Sequence, residues 1–175
     1  MTDKPAAKLA IRDATRDDAQ ACAQIYRPYV LETTITFELE PPSAPEFADR
    51  IANAQVKHLW LMAEANEGPE AGEIVGYAYA GTYRPRAAYG FTCETSVYLD
   101  MSAGGRGYGR ELYAELLSRL GALGYRQAVA GMTMPNDASQ RLHTSLGFEP
   151  IGIFRKVGYK FDDWRDVAWA QCELH

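Results

Sequence analysis

The chain has little of several residue types that mark specialised classes of protein. Its three cysteines, Cys22, Cys93 and Cys172, are an odd and widely spaced set, which excludes a disulfide framework or a cysteine-based metal knuckle. Its three histidines do not share ligand spacing, so no metal site is expected. No segment approaches the roughly 18 apolar residues of a membrane span, and the N-terminus carries no apolar run. We therefore expect a cytoplasmic protein without a bound metal.

Positive charge is also scarce. Lys and Arg number 18 against 23 Asp and Glu, which gives a formal net charge of −5. A nucleic-acid-binding domain needs a basic surface, so neither nucleic acid nor a membrane is an expected partner. The 175 residues suit one domain over residues 1–175, in which residues 1–8 form a flexible N-terminus.

The pattern of apolar residues predicts an α/β protein of the α+β type. Strand-like stretches occur at residues 9–14, 58–63, 73–80, 92–99, 127–134, 151–160 and 167–174. Helical spacing follows Asp17 or Asp18, then Ser43, the glycine-rich stretch 104–109, and Asn136. We therefore expect a mostly antiparallel sheet with a few helices packed on it.

A glycine-rich loop at residues 104–109 follows one predicted strand and opens a helix. Backbone N–H groups in such a loop, together with the helix N-terminus, stabilise a phosphate, and Arg106 and Arg110 add charged donors. No Gly-Lys-Ser/Thr follows, and Arg110 with Glu111 replaces the third glycine of a dinucleotide fingerprint. From these residues alone, a phosphate site and a glycine-rich turn with solvated arginines are both open.

Two other groups of residues are candidates for chemistry. Asn136, Ser139 and His143 share one polar face of a predicted helix, although a lone helical histidine is more often structural than catalytic. Arg84 and Arg86 stand in a short loop before a strand. A guanidinium grips a carboxylate or phosphinate in two places, which suits an anionic small molecule, but solvated surface arginines are the alternative.

Taken together, these motifs resemble the GCN5-related N-acetyltransferase superfamily. The motifs that carry the resemblance are Thr33–Glu38, Tyr83–Tyr89, Glu94–Tyr98, Pro135–Phe148, Val157–Phe161 and Trp164. They are most similar to its phosphinothricin and methionine-sulfoximine N-acetyltransferase branch, over residues 11–174. The resemblance implies a GNAT fold with a mixed, mostly antiparallel sheet of about six to seven strands and about four helices. It also implies acetyl-CoA as the donor, an amino-acid acceptor and a homodimer.

The resemblance assigns residues to acetyl-CoA. Backbone groups of Val97, Tyr98 and Leu99 would pair with the pantetheine arm, and the first of these amides would polarise the thioester carbonyl. The pyrophosphate would be held by Gly105, Arg106, Gly107, Tyr108, Gly109 and Arg110. The pantetheine would also contact Asn136, Ser139 and Ser145. One departure is Gly104, where the superfamily usually has Gln or Arg.

The resemblance also assigns catalytic and substrate-binding residues. Glu94 would be the general base, directly or through a water, with a pKa raised by burial. His143 would be an acid or second proton acceptor near the thioester sulfur. Strand alternation points Cys93 away from Glu94, which favours direct attack in a ternary complex over an acyl-enzyme. The substrate would be bound by Phe37, Arg84, Arg86 and Tyr89.

The predicted function is acetyl-CoA-dependent acetylation of the α-amino group of a small amino acid. Glutamate analogues such as phosphinothricin, methionine sulfoximine and methionine sulfone are the favoured acceptors, because two arginines suit a small pocket for an anionic molecule. The alternatives are acetylation of a peptide or protein N-terminus, which needs an open groove, and a non-catalytic acyl-CoA-binding sensor.

Overall fold

The computed structural model describes residues 8–175, and residues 1–7, most of the predicted flexible N-terminus, lie outside it. Its strands are β1 (Leu9–Asp13), β2 (Trp60–Ala65), β3 (Ile74–Thr82), β4 (Thr92–Leu99), β5 (Gln127–Thr133), β6 (Glu149–Lys160) and β7 (Asp163–Glu173). They form a seven-stranded sheet in the order β1-β2-β3-β4-β5-β7-β6. All neighbours are antiparallel except β4 and β5. The predicted mixed, mostly antiparallel sheet is confirmed.

The helices are α1 (Ala19–Glu32), α2 (Ala44–Gln55), α3 (Tyr108–Ala122) and α4 (Asp137–Ser145). Ser43 caps α2 as predicted, because its hydroxyl accepts the Glu46 N–H while the Glu46 carboxylate accepts the Ser43 N–H. Of the two predicted caps of α1, Asp17 and Asp18, it is Asp18 that stands at the N-cap, but its side chain bonds to the Thr15 N–H and the Arg12 guanidinium. Within residues 8–175, none of the helices is long and apolar enough to cross a membrane.

Two apolar layers cover the two faces of the sheet. One lies beneath α1 and α2 and is rich in aromatic rings, including Tyr26, Phe47, Trp60 and Tyr77. The other lies beneath α3, whose Leu112, Leu116 and Leu120 are fully buried. Because side chains alternate along a strand, neighbouring residues of β4 face different layers. This alternation decides which residues of β4 reach which part of the site.

The parallel pair β4–β5 is short, and this positions the site. Residues 92–94 of β4 pair with residues 127–129 of β5, and the pairing ends there. β5 remains paired with β7 along its whole length, while β4 remains paired with β3. From Thr95 onward, the two strands therefore separate and leave a gap in the middle of the sheet.

Candidate active site

The edge of β4 that faces the gap carries backbone groups that no neighbouring strand within residues 8–175 binds. The Asp100 N–H donates to the Val75 carbonyl at 2.9 Å. Since hydrogen bonds alternate along an antiparallel pair, the backbone groups of Tyr98 point to β3 and those of Val97 and Leu99 point into the gap. The Leu99 carbonyl accepts a bond from the Tyr29 hydroxyl at 2.7 Å. The backbone of Tyr98 is therefore used in the sheet, and of the three residues predicted to bind the pantetheine only Val97 and Leu99 turn their backbone groups to the gap.

The glycine-rich turn leads from the end of β4 into α3. Gly105 and Gly107 have φ values of 80° and 85°, which glycine adopts without strain, and Gly107 is the N-cap of α3. The N–H groups of Arg110 and Glu111 both donate to the Gly107 carbonyl. The N–H groups before them precede the first bond of the helix and lie at its positive end, so this turn can hold an anion.

Two side chains of this turn point toward the β2–β3 hairpin. The Arg106 guanidinium forms an ion pair with Glu70, and the Lys8 ammonium donates to the Arg106 carbonyl at 3.1 Å. The Tyr108 hydroxyl donates to the Glu67 carbonyl at 3.4 Å. Gly109 and Arg110 are in the first turn of α3, and Arg110 is exposed. The turn therefore offers mainly its backbone, with Arg110 as the nearby exposed cation.

A small cleft of about 60 Å³ lies where β4 and β5 separate, against the N-terminal part of α4. It is lined by residues 95–98 of β4, residues 131–133 of β5, and Ile35, Asn136, Ser139 and His143. The Asn136 side-chain oxygen accepts the Ser139 N–H at 3.1 Å and caps α4, which leaves the amide NH₂ of Asn136 as a donor.

The structure does not bring Ser145 into this cleft. Ser145 is exposed in the last turn of α4, and its hydroxyl donates to the Leu142 carbonyl at 2.7 Å. The contact of Ser145 with the pantetheine stays a prediction, and this geometry does not support it.

His143 is buried, and both of its ring nitrogens have partners. Its Nδ1 lies 2.7 Å from the Ser139 carbonyl, which only accepts, so Nδ1 carries the proton. Its Nε2 lies 3.1 Å from the Tyr113 hydroxyl, which in turn lies 2.7 Å from Thr95 Oγ1. Burial lowers the pKa of His143, which keeps the ring neutral. The sequence offered no signal for Tyr113 or Thr95, because Tyr113 lies within the apolar stripe of α3.

Glu94 lies on the face of the sheet opposite α3, in a cavity of about 450 Å³. The cavity is lined by Tyr83, Arg84, Val129, residues 151–154 and Trp169. Glu94 is half-buried, and burial raises its pKa, as the sequence predicted. Arg84 stacks over Tyr83 and Tyr89, with its guanidinium carbon 5.1 and 5.7 Å from the ring centroids. Within residues 8–175, no ion pair joins Glu94 to Arg84 or to Arg86.

Three predicted substrate residues do not line this cavity, and one of them, Tyr89, is next to it only through its contact with Arg84. Arg86 is exposed at the start of the 3-10 turn Ala87–Tyr89 and does not line the cavity. Phe37 packs its ring against Gly158 of β6, while Ile35 of the same segment lines the cleft. The sequence does not identify Ile35, because the aromatic residue of this motif, Phe37, is the one expected to contact the substrate. A clamp of two arginines closed by Phe37 is therefore not observed.

Cys93 faces away from Glu94, as alternation predicted. It is fully buried in the layer beneath α3, and burial raises the pKa of its thiol to about 12. A thiol with that pKa is a weak nucleophile, so the geometry does not favour an acyl-enzyme. Among residues 8–175, no group of three His, Cys, Asp or Glu side chains that could hold a metal is present.

Three features of this region are typical of an acyl-transfer site: the gap in the sheet, the anion-binding turn and the carboxylate beside the gap. Comparison with known proteins gives the same class of enzyme. The model of the acetyltransferase (GNAT) domain family matches residues 11–169. The chain belongs to this family, which confirms the predicted fold class and enzyme class.

Relatives within the family are more specific. The chain is 38% identical to the phosphinothricin N-acetyltransferase of Streptomyces coelicolor, over 96% of this chain and 98% of that protein. It is 32% identical to the L-methionine sulfoximine/L-methionine sulfone acetyltransferase of Salmonella typhimurium, over 95% of each chain. A crystal structure of a GNAT phosphinothricin acetyltransferase from Sinorhizobium meliloti, in complex with AcCoA, has a TM-score of 0.89 and 37% identity, over 96% of this chain and 89% of that one. The protein is a GNAT acetyltransferase, and its relatives include enzymes named for phosphinothricin and for methionine sulfoximine.

Proposed function

We propose that the protein transfers an acetyl group from acetyl-CoA to the α-amino group of a small amino acid or glutamate analogue. Phosphinothricin, methionine sulfoximine and methionine sulfone are the acceptors that fit best, in keeping with the names of its relatives. The observation that carries this proposal is the cavity that holds Glu94 and Arg84 together. Glu94, whose pKa is raised by burial, supplies a base for the amine, and the Arg84 guanidinium on the same cavity wall supplies a partner for an acidic group of the acceptor.

The donor side of the site fits acetyl-CoA. The backbone groups of Val97 and the N–H of Leu99 face the gap and would pair with the pantetheine amides like an added strand, and the Asn136 amide would add a donor. The turn at residues 105–110 would hold the pyrophosphate through its N–H groups. Gly104 adds no side chain there, so the backbone carries this interaction. Acetyl-CoA supplies an activated acetyl thioester when it is bound.

Different residues around the gap would carry out different steps of the reaction. Glu94 would accept the proton of the substrate ammonium, directly or through a water, and the amine would attack the thioester in a ternary complex. The Val97 N–H would stabilise the negative charge that develops on the carbonyl oxygen. The attacking nitrogen has a second proton to lose, which would pass to the departing thiolate. His143 lines the cleft, and its Nδ1 lies 3.2 Å from the Ser139 hydroxyl, which would donate a hydrogen bond to that sulfur.

We also propose that the protein is a homodimer. Large apolar side chains are more than half exposed along β6, the following turn and the start of β7: Ile151, Ile153, Phe154, Val157, Tyr159, Phe161 and Trp164. Exposed apolar surface of this extent marks an interaction site, and a second copy of the chain would cover it. Sedimentation equilibrium tests this, and a monomer at all concentrations would contradict it.

The function is tested by measuring thiol release from acetyl-CoA with a panel of amines. The panel contains phosphinothricin, methionine sulfoximine, methionine sulfone, glutamate, a peptide with a free N-terminus and a polyamine. We expect turnover of the glutamate analogues and little of the others. Turnover of the peptide alone would favour an N-terminal acetyltransferase. Acetyl-CoA binding by calorimetry without any turnover would favour a sensor, and either result would refute the proposal.

A further inference from the structure

The segment between α1 and α2 crosses the cleft at which acetyl transfer is proposed. We call residues 33–38 the strap. Its Ile35 lines the cleft together with β4, β5 and α4, and 41% of Ile35 is exposed. The next two residues leave the cleft and turn toward the far end of β6. The strap therefore covers the gap in the sheet from one side, and its position decides how wide the cleft is.

A buried lysine holds the strap at this far end. Lys160 is the last residue of β6, and only 3% of it is exposed. Its ammonium donates to the Thr36 carbonyl at 2.9 Å, across 124 residues of sequence, and lies 5.1 Å from the Phe161 ring centroid. Burying an ammonium is costly unless it is hydrogen-bonded, so this bond to the Thr36 carbonyl favours the observed position of the strap.

A close backbone approach supports the same anchor. The Phe37 ring lies against the backbone of Gly158, where an added Cβ would overlap the ring. The pairing of β6 with β7 is irregular between Phe154 and Gly158, which lets the strand bend there. The motif Val157–Phe161 thus supplies both a glycine that admits Phe37 and a lysine that binds Thr36.

The strap is also fixed on its other side. The Tyr26 hydroxyl contacts Thr36 Oγ1 and donates to the Glu38 carboxylate at 3.1 Å. Arg50 of α2 binds both oxygens of Glu38, at 2.7 and 3.0 Å. These contacts tie the strap to α1 and α2, so the bond from Lys160 is the polar contact that ties it to the opposite side of the cleft.

We propose that Lys160 is a positioning residue, which acts through the strap to hold Ile35 over the transfer cleft. Lys160 lines neither the cleft nor the cavity that holds Glu94. A strap that is already ordered before the acceptor binds lowers the conformational entropy lost on binding, and it keeps water away from the thioester. The readout on acetyl transfer rests on the proposed function, whereas the anchoring itself does not.

The test compares Lys160→Met with Lys57→Met, a matched change of an exposed lysine in the turn after α2. Loss of one hydrogen bond to a charged group should speed amide hydrogen exchange in residues 33–38 by about tenfold. In Lys160→Met we expect KM for the amino acid to rise by about tenfold while kcat stays within about threefold, with more thiol release in the absence of an acceptor. Lys160→Arg, which keeps a donor, should restore most of both values.

A second variant keeps the proposal testable if Lys160→Met does not fold. Gly158→Ala should displace the Phe37 ring and speed exchange in residues 33–38, and adding Phe37→Leu should slow it again. Exchange equal to that of wild type in the folded Lys160 and Gly158 variants would overturn the proposal, as would faster exchange with an unchanged KM. A wild-type protein that acetylates none of the amines would refute the proposed function. Hydrogen exchange needs no turnover, so it would still decide whether Lys160 anchors the strap.

Discussion

Replacing Glu94 by glutamine separates the chemical role of this carboxylate from its packing. Glutamine keeps the shape of the side chain in the cavity, but it does not act as a base at neutral pH. A positioned general base contributes about 10²–10⁴-fold to a rate, and we expect kcat to fall by about that factor in Glu94→Gln. Binding of acetyl-CoA should be unchanged, because the proposed donor site is the cleft beside α4 and the turn before α3.

The pH profile gives a second signature of the same role. Burial raises the pKa of Glu94 above the ordinary glutamate value of about 4.3. Glu94 is a base only when it is ionised, so kcat/KM of the wild type should rise with pH through this raised pKa. In Glu94→Gln this rising limb should be absent.

The raised pKa has the opposite consequence for stability. The folded protein binds the Glu94 proton more tightly than the unfolded chain does, so this group favours folding at low pH. Its contribution is complete below the unfolded pKa of about 4.3 and is lost as pH rises through the folded pKa. Glu94→Gln should therefore have a higher Tm than wild type at about pH 7 and the same Tm below about pH 4.

Three measurements on one variant check these expectations. Thiol release gives kcat and its pH profile, isothermal calorimetry gives acetyl-CoA affinity, and scanning calorimetry gives Tm at each pH. Glu73→Gln, which changes an exposed carboxylate just before β3, is the control. An unchanged kcat and an unchanged pH profile in Glu94→Gln would refute the assignment of Glu94 as the base.

Further predictions concern the other parts of the site. Arg84→Ala should raise KM for an anionic amino acid by about tenfold in steady-state kinetics, and Arg86→Ala should not; equal effects would contradict the placement of Arg84 alone in the cavity. Gly107→Ala forces a side chain into a φ of 85°, and calorimetry should show weaker acetyl-CoA binding and a stability loss of about 1 kcal/mol. Tyr113→Phe removes the donor to buried His143 Nε2, and urea unfolding should show a loss of about 1–3 kcal/mol. Because burial lowers the pKa of His143, its contribution to stability should be lost as pH falls below about 6.5.

Much of the fold and part of the site could be predicted from short stretches of sequence. Alternation over residues 92–99 predicted β4 and placed Cys93 opposite Glu94. The glycine-rich turn and Asn136 were assigned correctly to the starts of α3 and α4, because caps and left-handed turns are decided by a few neighbouring residues. Such local preferences need no information about the rest of the chain.

Contacts between distant segments decided the rest. Arg84 and Arg86 are equivalent in the sequence, yet only Arg84 lines the cavity with Glu94. Phe37 is the obvious aromatic of its motif, but the approach of Gly158 takes its ring away and leaves Ile35 in the cleft.

By itself, the sequence determined the order of helices and strands, the family and the residue types available for acetyl transfer. Only the tertiary structure decided that β4 and β5 part after three residue pairs, that Val97 rather than Tyr98 offers its backbone to the gap, and that His143 is neutral. The physical reason is that strand register, burial and hydrogen-bond partners depend on elements far apart in the chain, and these meet only when the sheet and its two helical layers assemble.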